Sequence, residues 1–405
     1  MRIVVAIPFS PWPVRSGTDR LIMNLLEGLS SSHEVTLVTM ALGREELSRL
    51  QEVEGPHIRV EAMLAPHRRG LAAKLWHKCR NLAAALLTGV PPEVNYASPD
   101  AYLELIARTA RSERADLILA NYWHLYRLPD HVETRTLVLI THDLDFAVNR
   151  HRLRLAPGGI RRALAARRAR TLERIESLAY ERYGTILTVT PADAERLGGE
   201  PAMKGKRIAP LPLALDLSTF DPAVHTRERD RVLLLGTFHA DFNRDAYRYF
   251  VTEVLPLLLD RRPSARVEVV GQGLDRSLER LAPAAVSFTG YAESIIPHLG
   301  GCSLMVLPMR FCGGVRIRML EAAAMGTPVV STPIGVAGMG LTAGREYIEA
   351  ESAEEMAEAI SRLLEETEEA ARIGGAARKW AEEHISMESY PARIDALLDE
   401  LAQRP

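Results

Sequence analysis

Short apolar runs alternate along the chain with longer segments in which apolar residues recur every three or four positions. The runs are continuous, which is typical of parallel strands buried on both faces, and the longer segments have the period of amphipathic helices. Strand and helix in regular alternation predict the α/β class with doubly wound parallel sheets. The predicted strands cover residues 2–7, 34–40, 116–120, 137–140, 184–190, 231–238, 265–270, 286–291, 304–308 and 327–331.

The alternation begins a second time near residue 231, and 405 residues are many for one domain. Residues 1–213 carry 30 Lys and Arg against 23 Asp and Glu, whereas residues 214–405 carry 20 against 29. A basic first half and an acidic second half predict two domains with different partners. We place the boundary between Leu213 and Ala214.

The composition is that of a soluble globular protein. Three widely spaced cysteines (Cys79, Cys302 and Cys312) favour neither a disulfide framework nor a zinc site. The apolar start is too short for a signal peptide, and no run approaches the ~20 apolar residues of a membrane span. These features predict a cytoplasmic location.

A glycine-rich turn follows the predicted strand at residues 304–308. The glycines at 313–314 would let a ligand approach the backbone where the next helix begins. The free amides and dipole of a helix start favour an anion, and Arg316 and Arg318 add positive charge. A sugar nucleotide would use the amides and arginines for its diphosphate and the carboxylate of Glu321 for its ribose. An ordinary strand–helix crossover with surface arginines is the alternative.

Polar residues also follow predicted strands of the first half, at residues 121–124 and 141–145. The carboxyl ends of strands are where α/β proteins build their sites, so His142 is a candidate; a turn histidine with local hydrogen bonds is the alternative. His142 and Asp145 lack a third ligand and make a poor metal site. Gly17, in the loop after the first strand, would admit a phosphate or a sugar, unless this loop is a plain turn.

The segment Gly313-Gly314-Val315-Arg316-Ile317-Arg318-Met319-Leu320-Glu321-Ala322 resembles a signature of family 4 retaining glycosyltransferases of the GT-B fold. The nearest subgroup has the pattern Gly-Gly-x-Arg-x-Lys-x-Leu-Glu-Ala. Glu321 matches the second glutamate of the family's Glu-x7-Glu motif, and Gly313 occupies the position of the first. His142 and Asp143 match the Thr-x-His-Asp element.

The resemblance implies an α/β GT-B architecture, with two doubly wound Rossmann-like domains facing a cleft. Residues 1–213 would bind the acceptor, with a C-terminal helix at about 386–405 packing back on them, and residues 214–385 would bind the nucleotide sugar. The implied reaction moves a sugar from a UDP- or GDP-type donor to a glycan, lipid-linked or small-molecule acceptor, with retention and without a metal or other cofactor.

The resemblance also implies roles for matching residues. His142 would lie near the reacting sugar, and Arg316 and Arg318 would stabilise the leaving diphosphate, which makes these three the predicted catalytic residues. Many relatives carry an arginine and a lysine in a glycine loop of the second domain, where this chain has Thr237 and Asn243; the two helix arginines would supply the missing charge. The implied donor-binding residues are Gly17, Gly236, Tyr291, Gly313, Gly314, Val315 and Glu321.

Two basic segments, residues 67–80 and 150–174, stand out in the first half. The first is amphipathic, with Leu71, Leu75 and Trp76 on one side. Peripheral contact with an anionic membrane is one interpretation, and a solvated charged face is the other. Nucleic acid is disfavoured because stacking aromatics do not interleave the charges.

Two other functions are kept open. A nucleotide-sugar epimerase uses the same fold with acid–base carboxylates. A non-catalytic subunit that partners an active transferase is suggested by Gly313 in place of the motif's first glutamate and by the altered glycine loop.

Overall fold

The computed structural model describes residues 1–68, 70–88, 90–133, 136–155 and 159–402. The chain forms two compact units. The first unit consists of Met1–Leu213 and the segment from Ser389 onward, and the second is Ala214–Glu388.

The first unit contains a parallel sheet whose strands are β1 (Arg2–Ile7), β2 (Glu34–Ala41), β3 (Ile58–Leu64), β4 (Leu117–Asn121), β5 (Leu137–Thr141), β6 (Thr185–Thr188) and β7 (Arg207–Pro210). Their order across the sheet is β3-β2-β1-β4-β5-β6-β7. The apolar runs of β1 and β4 are buried on both faces, as their continuous pattern predicts.

The second unit contains a parallel sheet of β8 (Arg231–Leu235), β9 (Arg266–Val270), β10 (Val286–Gly290), β11 (Leu304–Leu307), β12 (Val329–Ser331) and β13 (Ile348–Glu349). The order is β10-β9-β8-β11-β12-β13. In each sheet the strand order reverses beside the first strand, between β1 and β4 and between β8 and β11. This reversal is the point at which doubly wound sheets bind ligands beyond their carboxyl ends.

Helices connect the strands of each unit. Those of the first unit are α1 (Gly17–Ser30), α2 (Arg44–Arg49), α3 (Leu71–Thr88), α4 (Pro92–Ala97), α5 (Asp100–Ser112), α6 (Asp145–Leu155), α7 (Ile160–Arg182), α8 (Pro191–Gly198) and α17 (Tyr390–Ala402). Those of the second are α9 (Asp241–Tyr249), α10 (Leu255–Arg261), α11 (Arg276–Glu279), α12 (Ile296–Gly301), α13 (Ile317–Ala324), α14 (Pro333–Val336), α15 (Ala353–Glu365) and α16 (Thr367–His384). A π-helical segment, Phe250–Val254, joins α9 to α10.

The last helix, α17, packs against α1 within the first unit. Gly28 allows this contact because a Cβ there would lie 2.4 Å from the Tyr390 ring. The C-terminal segment therefore completes the first unit, although it follows the whole of the second.

The α/β class and the two doubly wound Rossmann-like sheets are confirmed. The sequence prediction missed β3, β7 and the two-residue β13. β3 and β7 lie at the edges of their sheet and are only half-buried. Such strands lack the continuous apolar run on which the prediction relied.

Candidate functional site

The glycine turn, residues 308–316, connects β11 to α13 at the switch point of the second sheet. Gly314 has φ of +58°, a conformation that glycine adopts without strain. The helix begins at Ile317, and Arg316 is its N-cap, with φ of −86° and ψ of 89°. The expectation that both arginines belong to the helix is therefore wrong for Arg316, whereas Arg318 is the second helical residue.

Arg316 is directed into its own unit and is 5% exposed. Its guanidinium donates hydrogen bonds to the carbonyl oxygens of Gly313 at 3.1 Å, Gly335 at 3.0 Å and Ala337 at 2.9 Å. It also lies 3.2 Å from the sulfur of Cys312. These bonds stabilise the glycine turn, while the catalytic role of Arg316 stays a prediction.

Arg318 places its guanidinium against the glycine loop that follows β8. It donates to the carbonyl oxygen of Leu235 and, at 2.8 Å, to Oδ1 of Asn243. A Cβ on Gly236 would lie only 3.3 Å from Nη1 of Arg318. Burial lowers the pKa of Arg318 to about 10, so the group is still a cation at neutral pH. Positive charge thus reaches the glycine loop from α13.

Glycines line the carboxyl ends of neighbouring strands in this unit. Gly271, after β9, has φ of +133°, and a Cβ there would lie 1.7 Å from the carbonyl oxygen of Gly236. Its amide donates to Gly290 at 2.7 Å. Glycine backbone therefore forms part of the surface at this end of the sheet.

The other predicted donor-binding residues of this unit lie around the same strand ends. Glu321 is 8% exposed on α13. Tyr291 follows β10 and is 62% exposed. Gly313 and Val315 lie in the glycine turn and are half-buried. Their contacts with a nucleotide stay predictions.

A strand-end cluster of Asn121, Tyr122 and His142 occupies the corresponding end of the first sheet. The rings of Tyr122 and His142 stack with centroids 4.5 Å apart, and Phe9 packs on Tyr122 at 4.9 Å. Asn121, the last residue of β4, lies 3.0 Å from Nε2 of His142. Sequence analysis selected His142 but missed Asn121 as a partner, since 21 residues separate the two.

Gly17 is the first residue of α1, so the prediction that it lies in the loop after the first strand is wrong. Ser16 accepts a hydrogen bond from the Asp19 amide at 3.2 Å, and the Asp19 carboxylate accepts from the Ser16 amide at 2.8 Å. This capping box has a local signature, Ser-x-x-Asp, that could have located the start. Thr18 of the same turn hydrogen-bonds the Tyr122 hydroxyl.

Both basic segments of the first unit contact α4. α3 packs against α4, and Arg168 of α7 donates to Glu93 of α4 at 2.6 Å. On α3, Leu75 and Trp76 are each 58% exposed. Arg69 and the side chains of Leu71, Arg152, Arg154 and Arg161 lie outside the described residues.

Within the described ranges, no group of three or more His, Cys, Asp or Glu side chains is arranged to hold a metal. No helix in those ranges is long and apolar enough to cross a bilayer.

The fold is that of GT-B glycosyltransferases. The sucrose-phosphate synthase of Thermosynechococcus elongatus superposes with a TM-score of 0.75 at 16% identity, with all of both chains covered. Anabaena Alr3699/HepE, solved in complex with UDP and glucose, superposes with a TM-score of 0.68 at 15% identity, covering 98% of this chain and 99% of that one.

Residues 229–366 match the family model described as Glycosyl transferases group 1. That range holds the glycine loop, the glycine turn and Glu321. The D-inositol 3-phosphate glycosyltransferase of Arthrobacter sp. (strain FB24) is 28% identical over 240 residues, or 53% of this chain and 57% of that protein. A GDP-mannose-dependent monoacylated alpha-(1-6)-phosphatidylinositol monomannoside mannosyltransferase of Corynebacterium glutamicum is 29% identical over 36% of this chain and 42% of its own. The chain therefore spans about half the length of the curated relatives it matches.

Proposed function

We propose that this protein is a glycosyltransferase that moves a sugar from a UDP- or GDP-type nucleotide sugar to a hydroxyl acceptor, with retention of configuration and without a metal. The observation that carries the proposal is the position of Arg318. Its guanidinium lies against Gly236 at the switch point of the sheet, inside the range that matches the glycosyl transferases group 1 model.

The chemistry of the second unit suits a nucleoside diphosphate. The start of α13, the adjoining glycine turn and Arg318 offer backbone amides and a cation to an anionic group. A diphosphate gains negative charge as its bond to the sugar breaks, so donors held in place beforehand stabilise the transition state more than the ground state. Glu321 would accept hydrogen bonds from the ribose hydroxyls.

In this proposal the first unit supplies the acceptor side, with His142 beside the reacting sugar. The names of the Arthrobacter and Corynebacterium relatives include an inositol phosphate and a phosphatidylinositol glycoside. They favour a polyol or lipid-linked acceptor for this chain.

The non-catalytic alternative depends on two departures from the family pattern. One is the missing charge in the glycine loop, and in this proposal Arg318, whose guanidinium lies against Gly236, supplies that charge. The other, Gly313 in place of the motif's first glutamate, still favours that alternative. An inactive partner would bind nucleotide sugars without turnover, and an epimerase would convert the donor without an acceptor.

The test begins with UDP-glucose, GDP-mannose and other nucleotide sugars, scored by thermal stabilisation of the protein. The stabilising donor is then offered to inositol phosphates and lipid-linked acceptors, with and without EDTA, and the anomeric configuration of the product is determined by NMR. We expect an EDTA-insensitive transfer with retention. Inversion, or loss of activity on chelation, would contradict the corresponding part of the proposal.

Glu321→Ala provides a residue-level test. It should weaken nucleotide binding by about 1–3 kcal/mol, the scale of a hydrogen bond to a charged group. Glu358→Ala, an exposed residue of α15, is the matched control and should bind normally. Equal affinity of both variants for the nucleotide would remove Glu321 from the site.

We further propose that the basic face of the first unit contacts an anionic membrane. Leu75 and Trp76 project from α3, whereas Asn81 is 2% exposed and marks the inward face of this helix. Arg80 lies over the Trp76 ring, 4.8 Å from its centroid. Exposed arginines of α7 add positive charge, and one of them, Arg168, contacts α4 as α3 does. Apolar side chains among cations suit the interface of an anionic bilayer.

Vesicle sedimentation tests this contact. Binding to phosphatidylglycerol vesicles should exceed binding to phosphatidylcholine vesicles and should weaken with salt. Trp76→Ser should reduce it, and Leu281→Ser, at an exposed apolar residue of the second unit, should not. Equal sedimentation with both lipids would leave a solvated face as the explanation.

A further inference from the structure

The amide group of Asn121 has its orientation set by the backbone around it. Asn121 is fully buried, and its Nδ2 lies 3.3 Å from the carbonyl oxygen of Ala6 and 3.4 Å from that of Leu119. Carbonyl oxygens only accept hydrogen bonds, so the amide nitrogen faces them. The carboxamide oxygen therefore faces His142.

This orientation decides which nitrogen of His142 carries the proton. Nε2 lies 3.0 Å from Oδ1 of Asn121, and since that oxygen only accepts, Nε2 must donate. In a neutral imidazole the other nitrogen, Nδ1, then carries a lone pair. Nδ1 is buried and has no hydrogen-bond partner among the described residues.

Tyr122 holds the plane of the imidazole. Its ring stacks on His142, with an angle of 28° between the planes. Tyr122 has φ of +76°, a strained conformation for a bulky residue that persists where the surroundings enforce it. The bond between Thr18 and the Tyr122 hydroxyl ties this ring to the start of α1.

His142 is neutral at physiological pH. Burial lowers the pKa of His142 to about 4. The charged groups that face the stacked Tyr122 ring are Asp19 of α1 and, after β5, Asp143 and Asp145. Burial raises the pKa of Asp19 and of Asp145.

We infer that Asn121 is a positioning residue: it keeps the proton of His142 on Nε2 and so presents the Nδ1 lone pair as the hydrogen-bond acceptor for a substrate hydroxyl. This inference rests on the proposed function for its substrate, a hydroxyl-bearing sugar or acceptor. Asn121 itself need not touch the substrate.

The tautomer can be read without any enzyme assay. Long-range ¹H–¹⁵N NMR of the ¹⁵N-labelled full chain distinguishes protonated from unprotonated ring nitrogens, and His142→Gln assigns the signals. Between about pH 6 and pH 8 we expect a protonated Nε2, an unprotonated Nδ1 and no titration. A proton on Nδ1, or a titration in this range, would overturn the inference whether or not the protein transfers sugar.

The catalytic consequence is tested with Asn121→Asp, which keeps the shape and an acceptor oxygen. A carboxylate beside Nε2 stabilises the imidazolium and raises the pKa of His142. With the donor identified above, kcat of the variant should fall about tenfold from pH 8 to pH 6, and kcat of the wild type less than about twofold. If NMR shows His142 titrating in the variant while kcat keeps the wild-type pH profile, the neutral lone pair has no part in transfer.

If no donor is turned over, the proposed function fails, and the NMR result still decides the role of Asn121.

Discussion

The carboxyl ends of the two sheets show opposite ways of treating charge. In the second unit glycine backbone lines the strand ends, and a half-buried cation, Arg318, is held by Leu235 and Asn243. In the first unit the same end of the sheet carries stacked rings and His142, whose pKa burial lowers to about 4. We expect the first of these surfaces to bind an anionic leaving group and the second to bind a neutral hydroxyl.

Two buried glutamates extend this comparison. Glu176 of α7 is fully buried, and burial raises its pKa well above the ordinary value. Glu268 of β9 is also buried, but its pKa is lowered, because hydrogen bonds from Thr289 and Arg231 and the charges of His298 and Arg231 together outweigh the effect of burial. Burial thus raises the pKa of Glu176, whereas hydrogen bonds and a cationic partner lower the pKa of Glu268.

The largest effect is expected from Gly271→Ala in the second unit. Its Cβ would meet the backbone oxygen of Gly236 at 1.7 Å, in a conformation with φ of +133°. We expect denaturant unfolding to show a loss of about 4 kcal/mol or more in the free energy of unfolding, the range of severe strain. Gly290→Ala, with φ of +72° and no atom near its Cβ, should cost about 1–2 kcal/mol. Equal losses would mean that crowding between strand ends does not shape this surface.

The next largest effect is expected from removing the positive charge of Arg318. Arg318→Gln should lower kcat about 10²-fold or more, the scale for losing one preorganised donor to a developing negative charge. Uridine or guanosine should bind as before, because a nucleoside has no phosphate. Arg248→Gln, on an exposed face of α9, is the control. Wild-type kcat in the Arg318 variant would place the diphosphate elsewhere.

Glu268→Gln should destabilise the second unit by about 2 kcal/mol, since it removes the charge that Arg231 at 2.6 Å and His298 at 2.9 Å contact. Because the pKa of Glu268 is lower in the folded state, its ion pairs stabilise the protein at pH values above the pKa of the unfolded state. This stabilisation is lost as the pH falls through the pKa of the folded state. Urea unfolding should therefore show the full difference in free energy of unfolding between wild type and variant at pH 7, and this difference should become smaller below about pH 4.3. A difference independent of pH would refute the ion pair.

The smallest effect, with the opposite sign, is expected from Glu176→Gln. Its amide oxygen can accept from the Phe146 amide, and its NH₂ can donate to the Tyr180 hydroxyl, which then donates to Thr141. Because the pKa of Glu176 is higher in the folded state, its contribution to stability is complete at pH values below the pKa of the unfolded state. This contribution is lost as the pH rises through the pKa of the folded state. Above about pH 4.3 the free energy of unfolding of the variant should increasingly exceed that of the wild type. The difference should reach about 1 kcal/mol by pH 7 in urea unfolding. A clear destabilisation of the variant at pH 7 would show that the folded protein is stabilised by the charged carboxylate of Glu176.

Much of the architecture follows from local pattern. Continuous apolar runs located β1 and β4 because strands buried on both faces have no polar side to interrupt them. The edge strands β3 and β7 were not predicted, because strands that are only half-buried have a weaker hydrophobic pattern. The start of α1 was missed although Ser16 and Asp19 carry its signature three residues apart.

The amino-acid sequence by itself determined the class of fold and the chemical groups at the strand ends, because these depend on residues that are neighbours along the chain. Only the tertiary structure decided what those groups do. Arg318 lies 83 and 75 positions from its partners Leu235 and Asn243, and Arg316 lies 21 positions from Ala337. One arginine thus reaches the glycine loop while its near neighbour stabilises the turn. A hydrogen bond depends on distance and direction in space, and the fold alone brings such distant residues within reach of each other.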